Sequence, residues 1–209
     1  MNSQFKIAYS AYQDAVKSND SNAQFNYATD AYQLGQKLYG DSNINTANLA
    51  LILAKQHLSK QQKTRANSLI VKTLEIFKNE YGDNSAELSE IYILLGHAQT
   101  YKKREQSVRY YLRAINIAKD YEDKTPYFTA QIQLESGIGL LGKGSRKSNV
   151  ILTAQKFFTE HLPNNDKRVV KANFFVGKYY LARNKYNTAI KNLQANLPVF
   201  NALEGLLTH

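Results

Sequence analysis

The chain contains no cysteine, which excludes disulfide staples, thiolate zinc sites and cysteine nucleophiles together. That absence suits cytoplasm and periplasm equally, so compartment stays open; a leader removed before Met1 would place the protein in the periplasm. Its longest apolar runs, 49-LALILA-54 and 91-IYILLG-96, fall far short of the roughly 18 residues that a membrane span needs. No basic start followed by an apolar stretch marks a secretory leader within the chain. Neither an HExxH pair among His57, His97, His161 and His209 nor a G-x-S-x-G nucleophile elbow occurs. Carboxylate pairs such as Glu87 with Glu90, and Glu122 with Asp123, fall at expected helix ends, where they complement the helix dipole or solvate a turn. The expectation is a non-enzymatic protein with no cofactor and no metal.

What is present supports a packed core, because 43% of the 209 residues are hydrophobic and only 21% are charged. Charge is unevenly placed. Residues 1–100 carry nine Lys/Arg against nine Asp/Glu, whereas residues 101–209 carry eighteen against eight, so the formal +10 lies in the second half. Such asymmetry suits an acidic partner or nucleic acid facing that half, or simply a lysine-rich solvated helical surface.

Internal repetition organises the rest. The segment 39-YGD-41 recurs as 81-YGD-83 and weakly as 121-YED-123. Before the second copy, Leu69, Ile70, Thr73, Leu74 and Phe77 line one helix face; after it, Leu88, Ile91, Tyr92, Leu95 and Ala98 do the same. Gly40 and Gly82 fall where a helix end favours a left-handed residue, and Ser42, Asn43, Asn84 and Ser85 offer oxygens to cap the next helix. Small residues recur at Ala54, Gly96, Gly137 and Gly177, and again at Ala66, Ser107, Ser148 and Ala189. Two offset rows of this kind suit pairs of helices in close approach, since bulk there would cost about 1–3 kcal/mol in overpacking.

The segment 173-NFFVGKYYLARNKYNTAIKNLQANLP-198 resembles the tetratricopeptide repeat (TPR) family. Val176, Gly177 and Tyr180 match its first-helix Leu-Gly…Tyr pattern, Ala189 its second-helix small residue, and Pro198 its terminal proline. In 94-LLGHAQTYKKREQSVRYYLRAI-115, Tyr111 and Ala114 match the second-helix positions. The 42-residue spacing and the Tyr-Gly-Asp connection are similar to the kinesin-light-chain-like branch. Ala54 stands in place of glycine, Asn196 in place of a small apolar residue, and the family's tryptophan is absent. The resemblance spans about residues 20–200. It implies an all-α, right-handed α-solenoid of about five antiparallel helix pairs: 3–18 with 21–39, 43–59 with 62–80, 85–101 with 104–121, 126–142 with 146–162, and 166–183 with 186–198. Pro126 after a capping Thr125 suits a helix start, and Pro163 with Asn164–Asn165 a break. Residues 1–198 then form one repeat domain. The tail 199–209 reads as the start of a further helix, or as a linker to a continuing parent protein.

The stretch 135-ESGIGLLGKGS-145 carries a GxGxxG pattern at Gly137, Gly139 and Gly142, which would need a strand–turn–helix to bind a dinucleotide. Lys143 is followed by Gly144, not Ser or Thr, so a phosphate-binding P-loop lacks its metal-ligand hydroxyl. The repeat register instead makes Gly137 a mid-helix packing position, Gly139 incidental, and Gly142 with Gly144 an inter-helix turn.

Stacked pairs line a concave face with the first helix of each pair. Positions six before, three before and one after the small-residue row should face it. They are Asn48, Leu51 and Lys55; Glu90, Ile93 and His97, with Tyr101 one turn on; Gln131, Leu134 and Ile138; and Lys171, Phe174 and Lys178. Apolar pockets flanked by polar groups suit an extended peptide or partner helix of another protein. Some TPR proteins bind acidic chain ends through a lysine–asparagine clamp; that pattern is missing at the matching positions. One alternative is a nucleic-acid scaffold using the basic clusters 102-KKR-104, Arg146–Lys147 and 167-KR-168, which fall at turns, together with aromatic pairs such as Tyr110–Tyr111, Phe174–Phe175 and Tyr179–Tyr180. Those aromatic stripes are otherwise interior faces of the array. Another alternative is a module of a larger envelope or TonB-linked protein whose function resides in a different domain.

Overall fold

The structure, a computed structural model, describes residues 3–99 and 103–199. Ten α-helices follow one another among the described residues, with no strand: α1 (Ser3–Lys17), α2 (Ser21–Tyr39), α3 (Ile44–Ser59), α4 (Lys63–Tyr81), α5 (Glu87–Ala98), α6 (Arg104–Lys119), α7 (Pro126–Gly142), α8 (Val150–His161), α9 (Lys167–Leu181) and α10 (Tyr186–Gln194). A short 3-10 turn, Arg146–Asn149, leads into α8. Two compact units divide the chain, residues 1–110 and 111–209, the boundary falling within α6. The expected tail from 200 to 209 lies outside the described residues.

Helix ends follow local chemistry. Asp20 accepts from the backbone N–H groups of Asn22 and Ala23 to open α2, and Asn43 accepts from Asn45 to open α3. Gly40 and Gly82 close α2 and α4 at φ 81° and 86°, with ψ 167° and 164°. Both are positive in φ as expected, but they sit in the extended mirror region that glycine alone enters readily, and not in the compact left-handed well. Two expected caps are corrected. At α5 the Ncap position falls to Ala86, already helical and without a side-chain cap bond, the Ser85 hydroxyl makes none, and the start is stitched by backbone bonds from Leu88 to Ser85 and from Ser89 to Ala86. At α7 the Thr125 hydroxyl donates backwards to the Tyr121 carbonyl (3.1 Å), leaving Pro126 alone to set the first turn.

Within residues 1–110 the odd-to-even turns after α1 and α3 are made by Asn19 (φ 55°) and Gln61 (φ 59°). Within residues 111–209 the same job falls to Gly144 (φ 63°) and Asn184 (φ 57°). A single left-handed residue reverses the chain in each, which asparagine tolerates and glutamine adopts at a cost.

Both rows of small residues are buried. Ala54, Ala66, Ser107, Ser148 and Ala189 are all 0% exposed, and Gly96, Gly137 and Gly177 are buried as well. A methyl built on Gly137 would stand 2.1 Å from Ile151 Cγ2 in α8, and one on Gly177 would stand 2.7 Å from the Leu193 side chain in α10. Gly139 is a correction: it is not incidental, because a methyl there would lie 2.2 Å from the ring of Tyr111, itself 1% exposed. The glycine lets α7 close over an aromatic ring of α6.

Close approach also brings hydroxyls onto carbonyls. Thr46 Oγ1 donates to the Gly35 carbonyl (3.2 Å), Ser107 Oγ to Gly96 (2.6 Å), and Thr129 Oγ1 to Ala118 (2.8 Å), all buried and each spanning eleven residues. Each bond ties one helix to the next. Buried donors are thereby satisfied where no water reaches.

Candidate interaction face

In the first unit, Asn48, Lys55 and Glu90 are exposed and His97 is half-buried. Lys55 Nζ lies 2.7 Å from Glu90 Oε1, joining α3 to α5 across the row where both were expected. Asn48 turns its amide back to the Ile44 carbonyl (3.0 Å). Leu51 and Ile93 are only 7% and 6% exposed, which makes them floor residues under the face. Tyr101 lies outside the described residues.

In the second unit, Gln131, Ile138 and Lys171 are half-buried, while Phe174 and Lys178 are exposed. Lys171 Nζ pairs with Glu135 Oε1, joining α9 to α7, and Gln131 Nε2 donates to the same carboxylate oxygen (2.9 Å). Lys178 Nζ lies 5.6 Å from the centroid of Phe174. Leu134 is a correction: it is fully buried, packed with Phe158 of α8 and with Val169 and Ala172 of α9, and cannot line a surface. The next odd-numbered helix roofs that position. Phe174 occupies the same register but is 45% exposed, since among the described residues no further helix pair follows to cover it.

The face in each unit is therefore a ladder of amides and one ion pair above an apolar floor, with Phe174 the single exposed anchor among the predicted apolar positions. The ion pairs themselves stabilise little at such exposure, on the order of 0–1 kcal/mol. Each pair cancels one cation of the row, while Lys178 stays charged beside Phe174.

Opposite ends of the helices differ in chemistry. At the α8–α9 turn, Asp166 caps α9 through the Arg168 N–H and accepts two guanidinium bonds from Arg168 at 2.9 and 2.8 Å. The Arg168 side-chain bonds, followed by its backbone bond, hold the Asp166 carboxyl down at about 2. Arg168 also stands over Tyr127 (5.7 Å), whose ring meets Phe157 edge-on at 5.1 Å, and His161 stacks on Phe157 at 4.3 Å. At the α2–α3 turn, a hydrogen bond from Gln36 and then one from Lys72 lower the Asp41 carboxyl. His57 is buried, its Nδ1 2.6 Å from Gln62 Oε1 and its ring edge-on to Phe25. Among the described residues no three His, Asp or Glu side chains converge to hold a metal, and no helix is long and apolar enough to cross a membrane.

The glycine stretch is helical from Gly137 to Gly142, with Gly144 in the following turn. The strand that a dinucleotide fingerprint requires is not there. The eleven-residue hydroxyl–carbonyl bonds and the Glu135 ladder went unread in the sequence. A small residue followed eleven positions later by Ser or Thr, as in Gly35/Thr46 and Gly96/Ser107, is the signal that would have exposed the first.

No protein-family model matches the chain, and no curated protein matches it. Solved structures do. The nearly identical TPR-like repeats assigned to a kinesin light chain of Podosopora anserina superpose with a TM-score of 0.67 at 13% identity, covering 96% of this chain and 95% of that one. A singly substituted form of the same repeats gives 0.69 at 12% identity over 97% and 95%. BtubC (BKLC) from P. vanneervenii gives 0.64 at 13% identity over 97% and 91%. Likeness at this identity defines the fold: an all-α, TPR-like helical-repeat solenoid.

Proposed function

We propose that the chain is a non-enzymatic interaction module whose odd-numbered helices hold a peptide segment or partner helix of another protein. The observation that carries this reading is the cross-helix ladder: Lys55 with Glu90 in one unit, and Glu135 with Lys171 and Gln131 in the other. Within each unit these bonds fix polar side chains on two odd helices, beside Leu51 and Ile93 in the first and beside Ile138 in the second. A ligand on the second unit's face meets the Gln131–Glu135–Lys171 group and an aromatic anchor at Phe174, and one on the first unit's face meets Asn48 and the Lys55–Glu90 pair. Preordered partners of this kind lower the entropy lost on binding. The TPR-like fold of its structural neighbours is compatible with such use, and partner identity lies beyond it.

Selection from a displayed peptide library, followed by titration calorimetry, tests the reading. Phe174→Asp and Lys55→Glu, each checked for native helicity, should weaken the selected peptides tenfold or more. Undiminished binding by both folded variants would remove the odd-helix face from consideration.

A further inference from the structure

Antiparallel helices place alternate turns at opposite edges, and in residues 111–209 the carboxylates gather at one edge only. The α6–α7 turn carries Asp120, Glu122 and Asp123 with Lys124, and the α8–α9 turn is flanked by Glu160 and Asp166 with Lys167 and Arg168, so charges of both signs meet there and largely cancel. Tyr127, His161 and Arg168 meet there, showing that these turns share one edge. The α7–α8 and α9–α10 turns share the other, where Arg183 Nη2 reaches Ser148 Oγ at 3.5 Å. No acidic residue occurs between Glu135 and Glu160, nor between Asp166 and Glu204, so neither turn at this second edge has a carboxylate of its own. Arg146, Lys147 and Lys185 are all exposed there, and among the described residues none of them forms an ion pair. In the first unit Lys60, Lys63 and Arg65 surround the α3–α4 turn, but the α1–α2 turn beside it carries Asp14 and Asp20, so the carboxylate-free edge is a feature of the second unit.

We propose that the edge formed by the α7–α8 and α9–α10 turns binds single-stranded nucleic acid through its phosphate backbone. Uncompensated cations on neighbouring turns attract phosphate by counterion release, which requires no base recognition. A second feature points to a polyanion bearing bases. Arg183 lies 3.7 Å over the Tyr179 ring and bonds only neutral acceptors, the Tyr179 carbonyl and Ser148, so its charge is fixed in place and unneutralised. Beside it Tyr186 is 58% exposed, its hydroxyl held by Asn184 Oδ1 at 3.0 Å, on the wall of an open hollow of about 340 Å³. A tethered, exposed ring next to unpaired cations gives a base a stacking surface. An acidic polypeptide or an anionic membrane would use the cations and leave that ring idle. This edge is separate from the ladder on the odd helices, so the two surfaces are independent.

Fluorescence anisotropy with a labelled twelve-nucleotide oligo-U, at 50 and 200 mM salt, tests the assignment. Three phosphate contacts on a single strand predict about twentyfold weaker binding at the higher salt. The triple variant Arg146→Ala/Lys147→Ala/Lys185→Ala should lose most of that salt dependence. Tyr186→Ala should weaken binding about fivefold or more at either salt, the size expected from one lost stack. Lys124→Ala, at the mixed-charge edge, and Phe174→Asp, on the odd-helix face, should change nothing; circular dichroism confirms folding throughout. Absence of binding at 50 mM salt, or binding unaltered in the folded triple variant, would overturn the proposal. So would an unchanged affinity in Tyr186→Ala together with equal competition by polyglutamate or by phosphatidylserine vesicles.

Discussion

Adding one methyl group at three glycines of α7 separates packing from propensity. Inside a helix, glycine to alanine gains near 1 kcal/mol, because the backbone of glycine has more freedom to lose. At Gly142 no neighbouring atom lies within 4 Å of the new methyl, so Gly142→Ala should stabilise, by less than that full amount at the final residue of the helix. At Gly139 the methyl would stand 2.2 to 2.7 Å from three atoms of the Tyr111 ring, which is 1% exposed and has nowhere to move. Overpacking of this kind costs about 1–3 kcal/mol, which outweighs the propensity gain. At Gly137 the obstruction includes the backbone nitrogen of Ile151 at 3.1 Å as well as its side chain, so α8 itself would have to shift. The expected order of stability is therefore Gly142→Ala above wild type, then Gly139→Ala, then Gly137→Ala. Urea unfolding followed by circular dichroism at 222 nm gives the midpoints, with similar slopes required for the comparison. In a chain of this length each kcal/mol should also move the melting temperature by about 2–4 °C. If Gly139→Ala proved as stable as Gly142→Ala, the account of α7 closing over Tyr111 would be refuted.

Three further outcomes follow from separate features. Gln61 pays about 1–2 kcal/mol to sit in the left-handed region, so Gln61→Gly should raise stability by up to about 1 kcal/mol, while Gly144→Ala at φ 63° should lower it; thermal melts decide both. Removing the buried Thr129 hydroxyl as Thr129→Val should cost about 1 kcal/mol through the lost bond to the Ala118 carbonyl, read by urea midpoint. Asp166 has its carboxyl held at about 2, below its unfolded value of 3.8, so it stabilises the fold above pH 4 and loses that contribution as pH falls through 2. Wild type should therefore be more stable than Asp166→Asn at neutral pH, the gap closing below pH 4; a pH-independent gap would show that the charge on Asp166 is irrelevant.

Much of the architecture was legible because it rests on side-chain size at fixed intervals. Ala54, Gly96, Gly137 and Gly177 are small where helices touch, and that pattern survives without any structure in hand. The capping of α5 was not legible, because Asn84 and Ser85 have the right chemistry for a cap and the chain instead enters the helix one turn tighter at Ala86. Gly139 was misread for a different reason: its partner, Tyr111, belongs to another helix pair, and a repeat register compares equivalent positions without pairing unlike ones. The face was legible in part. Lys55 pairs with Glu90 and Lys171 with Glu135, yet Leu134 could not be told from Phe174, because burial there depends on whether another helix follows. Charge totals pointed to the second half of the chain; that its carboxylates sit at one edge and leave the other without any emerged only once turns could be sorted by edge.

Hydroxyl-to-carbonyl bonds such as Thr46 to Gly35, and glycine contacts such as Gly177 to Leu193, each join helices that are neighbours along the chain. Cohesion is thus passed from each helix to the next and the next but one, as in Lys55 to Glu90 and Gln155 to Asn192, with no strand among the described residues to share the load. Pulled by its two ends, such a chain would come apart one helix pair at a time, each release adding about 140 Å of extended polypeptide.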